Sequence, residues 1–233
     1  MAGDKQLIVN ADDFGQSPAT NRGIIVAHER GIVTSASLMV RWPAAAQAAA
    51  YAQAHPKLSV GLHLDLGEWA YRRGQWVRLY QVVNEDDADA VDREVQSQLA
   101  SFRRLLGRDP THLDSHQHSH GREPAASIVF KMAKELGLPA RGLSKEILYC
   151  GDFYGQTDEG RPYPEGISIE NMLRILIHLL PGRTELGCHP GYVSDGETMY
   201  QAEREQEIET LCDRRVLKAT RDLDIELVPF GRE

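Results

Sequence analysis

Histidines are concentrated in one ten-residue stretch of this chain, Thr111–His120. Four of the nine histidines lie there, at alternate positions. Alternate side chains of an extended strand share one face, so three or four of these imidazoles could point the same way, with Asp114 between them on that face. Imidazole is the commonest transition-metal ligand in proteins, and a nearby carboxylate often orients it. The pattern predicts a metal site on a strand that carries His112, His116, His118 and His120.

Acidic and imidazole side chains also follow other predicted strands. Asp12 and Asp13 end the first strand, His63 ends the third and His189 ends the sixth. In parallel α/β proteins the carboxyl ends of the strands meet on one face, and the active site lies there. Each residue has an ordinary alternative, because Asp12 and Asp13 could be turn residues and His63 a buried core histidine. Their coincidence at strand ends favours one shared site over a histidine-rich surface strand.

A carboxylate and two imidazoles, with positions left open for water, form a common catalytic metal set. We predict that Asp13, His63 and His116 are ligands of one divalent ion. Such an ion lowers the pKa of bound water from about 15.7 towards about 7 and polarises a carbonyl oxygen, which suits hydrolysis. The donor set accepts Zn²⁺, Co²⁺, Mn²⁺ or Mg²⁺. Its imidazoles favour zinc, and we expect Zn²⁺ or Mg²⁺.

Hydrolysis also needs groups that move protons. Asp12 lies beside the predicted ligand Asp13 and is placed to act as the general base. His189 is the remaining strand-end candidate for the general acid that protonates the leaving group. Asp114 and His118 are expected to orient ligands or to contact the substrate.

Apolar runs and turn residues predict about seven strands that alternate with helices. The strands are expected at residues 7–10, 32–40, 58–64, 111–120, 139–143, 185–189 and 225–230. The helices are expected at residues 18–30, 43–55, 87–106, 123–136, 169–180 and 200–223. This alternation indicates parallel strands joined by crossover helices. We predict one α/β domain over residues 1–233, a (β/α) barrel, with a doubly wound open sheet as the alternative.

Two segments interrupt this alternation. Residues 67–85 have no clear period and contain four large aromatic side chains, which could form a substrate wall or a lid packed on the body. Residues 145–166 are rich in Gly, Tyr, Pro and Asp and predict a long loop.

Composition limits the partners and the compartment. The net charge is −8 with no basic block, so we expect no nucleic-acid partner. Three scattered cysteines argue against a disulfide framework and for a reducing compartment, and Cys188 is interpreted as a buried packing thiol rather than a nucleophile. No signal-like stretch and no run of about 20 apolar residues is present, so we expect a cytoplasmic protein without a membrane partner. A homodimer is left open.

Five ordered motifs spread over nearly the whole chain resemble one known family. They are Ile8–Gly15, Gly31–Ser35, Val60–Leu64, Pro110–His118 and Cys188–Gly191. The chain resembles the YdjC-like carbohydrate deacetylases, a family that includes chitooligosaccharide deacetylases. The resemblance implies a divalent-metal-dependent hydrolase that removes acetyl groups from N-acetylated sugars. It also implies a distorted (β/α) barrel, distantly similar to the NodB-type polysaccharide deacetylases.

The same resemblance assigns roles to individual residues. The first of the two adjacent aspartates, Asp12, would be the base, and the second, Asp13, a metal ligand. The metal histidines of the family fall on His63 and His116, and its late Cys-His-Pro histidine falls on His189. Residues 67–85 and 145–166 do not resemble the chitooligosaccharide enzymes, so the exact sugar stays open.

Two other functions compete with this hypothesis. A metal phosphoesterase on a related barrel would also use aspartates and histidines, but such sites often hold two or three ions with more carboxylates. A non-catalytic sugar-binding homologue would keep the fold, and the complete set of acid, base and ligand candidates argues against it.

Overall fold

The computed structural model describes residues 5–193 and 199–231. Within this part, nine strands form one large parallel sheet and one separate hairpin. The strands are β1 (Lys5–Phe14), β2 (Ser35–Leu38), β3 (Ser59–Leu64), β4 (Gly67–Arg72), β5 (Gln75–Gln81), β6 (Leu113–Ser115), β7 (Ile147–Cys150), β8 (Gly182–Cys188) and β9 (Ile225–Leu227). The helices are α1 (Pro18–Arg30), α2 (Ala45–Ala54), α3 (Ala88–Leu106), α4 (Ala125–Leu136), α5 (Ile169–His178), α6 (Ala202–Leu211) and α7 (Arg214–Asp222).

The large sheet has the order β6-β3-β2-β1-β8-β7, and β9 pairs with the first residues of β1. All of its pairings are parallel. Side chains of β1 alternate as a strand requires, because Leu7 and Val9 belong to the main hydrophobic core whereas Ile8 packs with Val228 and Phe230. Asp12 and Asp13 in β1, His63 in β3 and Asp114 in β6 lie towards the carboxyl ends of these strands.

One arginine shows that the sheet is curled. Four strand spacings separate β6 from β8, which would be about 19 Å in a flat sheet. Yet the guanidinium of Arg141 contacts Asp114 of β6 at 2.9 Å and Glu185 of β8 at 2.7 Å. The two strands therefore approach each other across the interior. The predicted α/β fold, a distorted barrel of seven parallel strands among the described residues, is confirmed.

Local sequence signals explain where the first and third helices begin and end. Ser17 caps α1 by accepting a hydrogen bond from the Thr20 N–H, and Pro18 is its first residue. Asp87 caps α3 in the same way, and Gly107 ends it with a left-handed φ of 69°. No helix among residues 5–193 and 199–231 has the length and apolar character that crossing a membrane requires.

Several predicted elements are wrong. Residues 67–85 contain the antiparallel β4–β5 hairpin, and the predicted loop 145–166 contains β7. The strand predicted at 139–143 is reduced to one bridge between Ala140 and Leu113. The single helix predicted at 200–223 is two helices. The helical structure is interrupted at Cys212 and Asp213, and Asp213 caps α7.

The Cys-His-Pro-Gly motif is held against α1 by a contact between two glycines. A Cβ atom added to Gly23 of α1 would lie 2.3 Å from the Cα of Gly191. No side chain fits there unless one backbone moves. The contact places the loop that carries His189 directly against the helix that follows β1.

We therefore expect Gly23→Ala to lower the free energy of unfolding by about 1–3 kcal/mol and the Tm by roughly 3–10 °C. Thermal unfolding followed by circular dichroism measures this. Gly121→Ala is the control, because a Cβ at Gly121 would meet no atom within 4 Å. Equal melting temperatures for the two variants would contradict the close contact.

Candidate active site

Asp12 and Asp13 are consecutive in β1, yet both side chains reach one buried site. Consecutive side chains of a regular strand face opposite sides of the sheet. Asp13 has a φ of 66°, and the register between β1 and β2 shifts between Ala11 and Phe14, as in a β-bulge. The left-handed residue turns its carboxylate back towards the site, so strain is stored at the predicted metal ligand.

His63, in β3, is held by two carboxylates. Its Nδ1 lies 2.8 Å from Asp114 Oδ1, and its Nε2 lies 3.5 Å from Asp13 Oδ1. Asp114 is itself fixed by the hydroxyl of Ser37, which donates a hydrogen bond to its Oδ2 at 2.6 Å. A carboxylate on one ring nitrogen leaves the other nitrogen free to bind a metal, which is the role predicted for Asp114.

The histidine-rich stretch is not one extended strand. Strand β6 ends at Ser115, and Gln117 and His118 take left-handed φ values of 49° and 53° in a short 3-10 turn. The prediction that three or four of these imidazoles share one strand face is therefore wrong. Only His116 of the four joins His63 and Asp13.

The other three histidines of that stretch lie outside this group of donors. His112 is buried and its ring stacks on Phe230, with ring centroids 3.8 Å apart. Burial lowers the pKa of His112 to about 4. His120 is buried with its Nε2 2.9 Å from the Arg141 carbonyl. His118 is exposed on a cavity wall, and its Nε2 lies 3.3 Å from the Tyr149 hydroxyl.

Three of the predicted residues form a compact donor set. His116 Nδ1 lies 3.1 Å from Asp13 Oδ1, the same oxygen that faces His63. One donor atom each from Asp13, His63 and His116 lies within 4.8 Å of the others, and all three residues are buried. Two imidazole nitrogens and one carboxylate oxygen fit a divalent ion with open positions.

The carboxylates around this donor set raise the pKa values of its two imidazoles. Burial works to lower the pKa of His63, but Asp114 and Asp12 outweigh it and raise that pKa to about 10. Burial also works to lower the pKa of His116. The hydrogen bond to Asp13 and the nearby Glu68 carboxylate outweigh burial and raise that pKa to about 9. Without a metal, both imidazoles are therefore in their protonated, positively charged form at pH 7.

Arg141 neutralises the acids beside this set. Its guanidinium binds Asp12 through two hydrogen bonds of 2.7 Å and also contacts Asp114 and Glu185. Burial works to raise the pKa of Asp12, but Arg141 reverses this and holds it below its ordinary value. Burial wins at Glu185 and raises its pKa to about 7 despite the same guanidinium.

A second group of possible metal donors consists of Asp12, His63 and Asp114. Both of its carboxylates already contact the Arg141 guanidinium, at 2.7 and 2.9 Å. The positive charge that a second ion would bring is thus supplied by the protein. The described residues favour a single metal ion, held by the first group.

A second buried arginine acts on Asp13. Arg204, in α6, donates a hydrogen bond of 2.6 Å to Asp13 Oδ2 and leaves Oδ1 facing the two imidazoles. Burial works to raise the pKa of Asp13, but Arg204 and the imidazoles hold it well below its ordinary value. Asp13 is therefore ionised and oriented before any metal binds.

His189 follows β8 and faces Asp12 across the site. Its Nε2 lies 3.7 Å from Asp12 Oδ2, and its Nδ1 lies 4.0 Å from the buried Glu207. Glu207 also accepts hydrogen bonds from the His189 backbone N–H and the Tyr200 hydroxyl. Burial lowers the pKa of His189 to about 4, so its ring is neutral at pH 7, and burial raises the pKa of Glu207 to about 8.

A cavity of about 660 Å³ opens onto the site, and its lining includes Asp12, Asp13, His63, His116, His189 and Arg204. The β4–β5 hairpin contributes Trp69 and Trp76 to its walls, and residues after β7 contribute Tyr154 beside Tyr149 of that strand. Both segments that interrupt the predicted alternation thus line the cavity. Cys188 does not, since it is buried and donates a hydrogen bond to the Asn10 carbonyl at 3.3 Å.

Sequence reasoning missed five buried charged residues of this site, which are Glu68, Arg141, Glu185, Arg204 and Glu207. Glu68 lies in a segment without a clear period, Arg141 and Glu185 lie in short predicted strands, and nothing in their neighbours marks any of them. Arg204 and Glu207 carry a signal that could have been used. They recur three residues apart on the face of α6 that also buries Ile208, so they interrupt an apolar helix face with opposite charges.

Comparison with known proteins places the chain. The family described as YdjC-like protein matches residues 6–222. The chain belongs to the YdjC-like family. A carbohydrate deacetylase of Thermoanaerobacter pseudethanolicus is 33% identical over 246 residues, which cover 97% of this chain and 98% of that protein. A chitooligosaccharide deacetylase of Salmonella schwarzengrund is 33% identical over 231 residues, covering 89% and 91%.

Solved structures show the same fold. A candidate cellobiose-phosphate cleavage protein of Enterococcus faecalis has a TM-score of 0.79 at 28% identity, with 97% of each chain covered. A family 4 carbohydrate esterase of Streptomyces lividans, solved with acetate, has a TM-score of 0.57 at 12% identity, covering 96% of this chain and 92% of that one. The second likeness, at so low an identity, extends to the fold alone.

The raised pKa values of His63 and His116 predict that metal affinity rises with pH. Ligation requires neutral imidazoles, so binding must displace their protons below about pH 9. We expect the Zn²⁺ affinity to increase between pH 6 and pH 8, by up to about tenfold per pH unit for each proton displaced. Competition against a chromogenic chelator, corrected for its own protonation, measures this. A pH-independent affinity would contradict it.

Proposed function

We propose that this chain is a metal-dependent carbohydrate deacetylase, which hydrolyses the acetamide of N-acetylated sugars and releases acetate. One observation carries the proposal. The donor atoms of Asp13, His63 and His116 lie close together, and these residues line a cavity with Asp12, His189 and several aromatic side chains. The YdjC-like family and the carbohydrate deacetylases similar over nearly the full length support the same reaction.

Asp13, His63 and His116 would hold the divalent ion. When bound there, the ion supplies Lewis-acid polarisation of the acetamide carbonyl and makes water acidic enough to attack near neutral pH. The residues around it are set for this task before binding. Arg204 keeps Asp13 ionised, and Asp114 holds the His63 ring with Nε2 towards the site.

Asp12 takes the proton of the attacking water. Its lowered pKa means that it is ionised at pH 7, as a general base must be. Arg141 fixes the plane of its carboxylate through the paired hydrogen bonds. The attack forms a C–O bond, and collapse of the tetrahedral carbon breaks the C–N bond.

His189 delivers a proton to the departing nitrogen. Its low pKa means that the ring is neutral at rest and must first receive this proton. Asp12 Oδ2 lies 3.7 Å from His189 Nε2, so the proton taken from water has a short path to the ring and then to the amine. Glu207 fixes the backbone of His189 from behind.

The aromatic walls support a sugar as the group next to the acetamide. Trp69, Trp76 and Tyr154 offer flat apolar surfaces in the cavity, which suit the apolar faces of sugar rings. A phosphoesterase with two metal ions is less well supported, because Arg141 already neutralises the second group of acids.

Asp12→Asn should keep metal binding and lose turnover by about 10²–10⁴-fold, since an amide cannot accept the proton. Elemental analysis of the purified variant and acetate release measure the two properties separately. Circular dichroism checks the fold, because the substitution also removes the negative charge that pairs with the Arg141 guanidinium. Turnover close to that of the wild type would remove Asp12 from the role of base.

The function itself is tested by acetate release from N-acetylglucosamine and its oligosaccharides, using chelated and metal-restored protein. We expect release that disappears with the chelator and returns with the metal. A phosphomonoester panel is run in parallel. Phosphate release without acetate release would replace the proposed function by the phosphoesterase alternative, and retained metal without either product would refute the proposed substrate class.

A further inference from the structure

The β4–β5 hairpin is attached to the turn that carries the second metal histidine. The side chain of Gln117 accepts a hydrogen bond of 2.8 Å from the Trp69 N–H and donates one of 2.7 Å to the Trp69 carbonyl. Gln117 directly follows His116 and has a left-handed φ of 49°. The Gln117 side-chain amide therefore forms two hydrogen bonds with the Trp69 backbone, as the backbone of a neighbouring strand would.

Glu68, the residue before Trp69, reaches the same histidine. The pairing of β4 with β5 shifts register between Glu68 and Trp69, as a β-bulge does. Glu68 is 2% exposed, and its Oε2 lies 3.7 Å from His116 Nε2. That nitrogen is buried and has no hydrogen-bond partner among the described residues. A buried carboxylate and a buried ring nitrogen thus face each other just beyond hydrogen-bond distance.

The two metal histidines have the same arrangement around them. His63 points Nε2 at Asp13 and its other nitrogen, Nδ1, at Asp114. His116 points Nδ1 at Asp13 and its other nitrogen, Nε2, at Glu68. Each ring therefore has one nitrogen towards the shared donor set and one towards a buried carboxylate outside it.

We propose that Glu68 is the positioning carboxylate of His116, and that metal binding and ordering of the β4–β5 hairpin are coupled through it. A metal ligand must be a neutral imidazole, so ligation through Nδ1 leaves the one ring proton on Nε2, where it is a donor aimed at Glu68. Because ligation fixes the orientation of the ring, the Nε2–H and the Glu68 carboxylate then link the hairpin to the metal site.

This coupling has a consequence for the cavity. The hairpin carries Trp69 and Trp76, two of the aromatic side chains in the cavity walls. If the metal favours the observed position of the hairpin, then that position must favour metal binding by the same free energy. The metal then both activates the reaction and assembles the wall that contacts the substrate. The inference rests on the metal site of the proposed function and not on the identity of the sugar.

The first test compares Zn²⁺ affinity in the wild type, Glu68→Gln and Glu85→Gln. Glu85 lies just beyond the hairpin and pairs with Arg78 at 4.0 Å, so it is an acid of the same segment without a metal histidine as partner. We expect Glu68→Gln to bind zinc about 10–100-fold more weakly, as loss of an orienting carboxylate does elsewhere. Glu85→Gln should match the wild type. Equal affinities in all three proteins would overturn the role of Glu68.

The second test needs no substitution. Hydrogen exchange of the wild type is followed with and without Zn²⁺. We expect the metal to slow exchange in the β4–β5 hairpin as well as in β1, β3 and the His116 turn. Protection confined to the ligand segments would overturn the coupling while leaving the proposed function intact. A wild type that binds no divalent ion would refute both, which the affinity measurement reveals directly.

Discussion

The Arg141 guanidinium, placed among three buried carboxylates, is the interaction on which this structure depends. Asp12, Asp114 and Glu185 come from three strands and would repel one another in an interior without a cation. Arg141 contacts all three within 2.9 Å and draws β6 and β8 towards each other. Loss of one partner from such a buried cluster typically costs about 3–5 kcal/mol, because the remaining charges stay uncompensated. The same Arg141 contacts therefore hold the sheet in its curled form and stabilise the acidic site.

The same interaction divides the acids between two tasks. Arg141 binds Asp12 and Asp114, of which Asp12 is the base in the proposed function and Asp114 holds His63. Asp13 has different partners, because the bulge in β1 turns its carboxylate towards the imidazoles and Arg204. Adjacent aspartates in one strand thus acquire different partners. In the proposed function, Asp13 keeps one oxygen for the divalent ion, and Asp12 takes the proton of the attacking water.

The sequence predicted the parts of this arrangement that follow from local pattern. Alternating apolar runs indicated the parallel sheet, and polar residues at strand ends indicated which face carries the site. The histidine-rich stretch was misread, because two left-handed residues, Gln117 and His118, end the strand where a simple alternation would continue it. Arg141 and Glu68 could not be found, since their burial depends on strands distant in sequence. Strand β7 is short and stands in a segment rich in turn residues, so local composition hid it.

The central claim is that one metal ion, complemented by Arg141, completes the charge of this site. Native mass spectrometry during a Zn²⁺ titration of the chelated protein, with acetate release measured on the same samples, tests it most directly. The account predicts that activity rises with occupancy and that both saturate at one ion per chain. Activity that appears only when a second ion binds would contradict the account, because Arg141 could not then be the cation of the second group of acids.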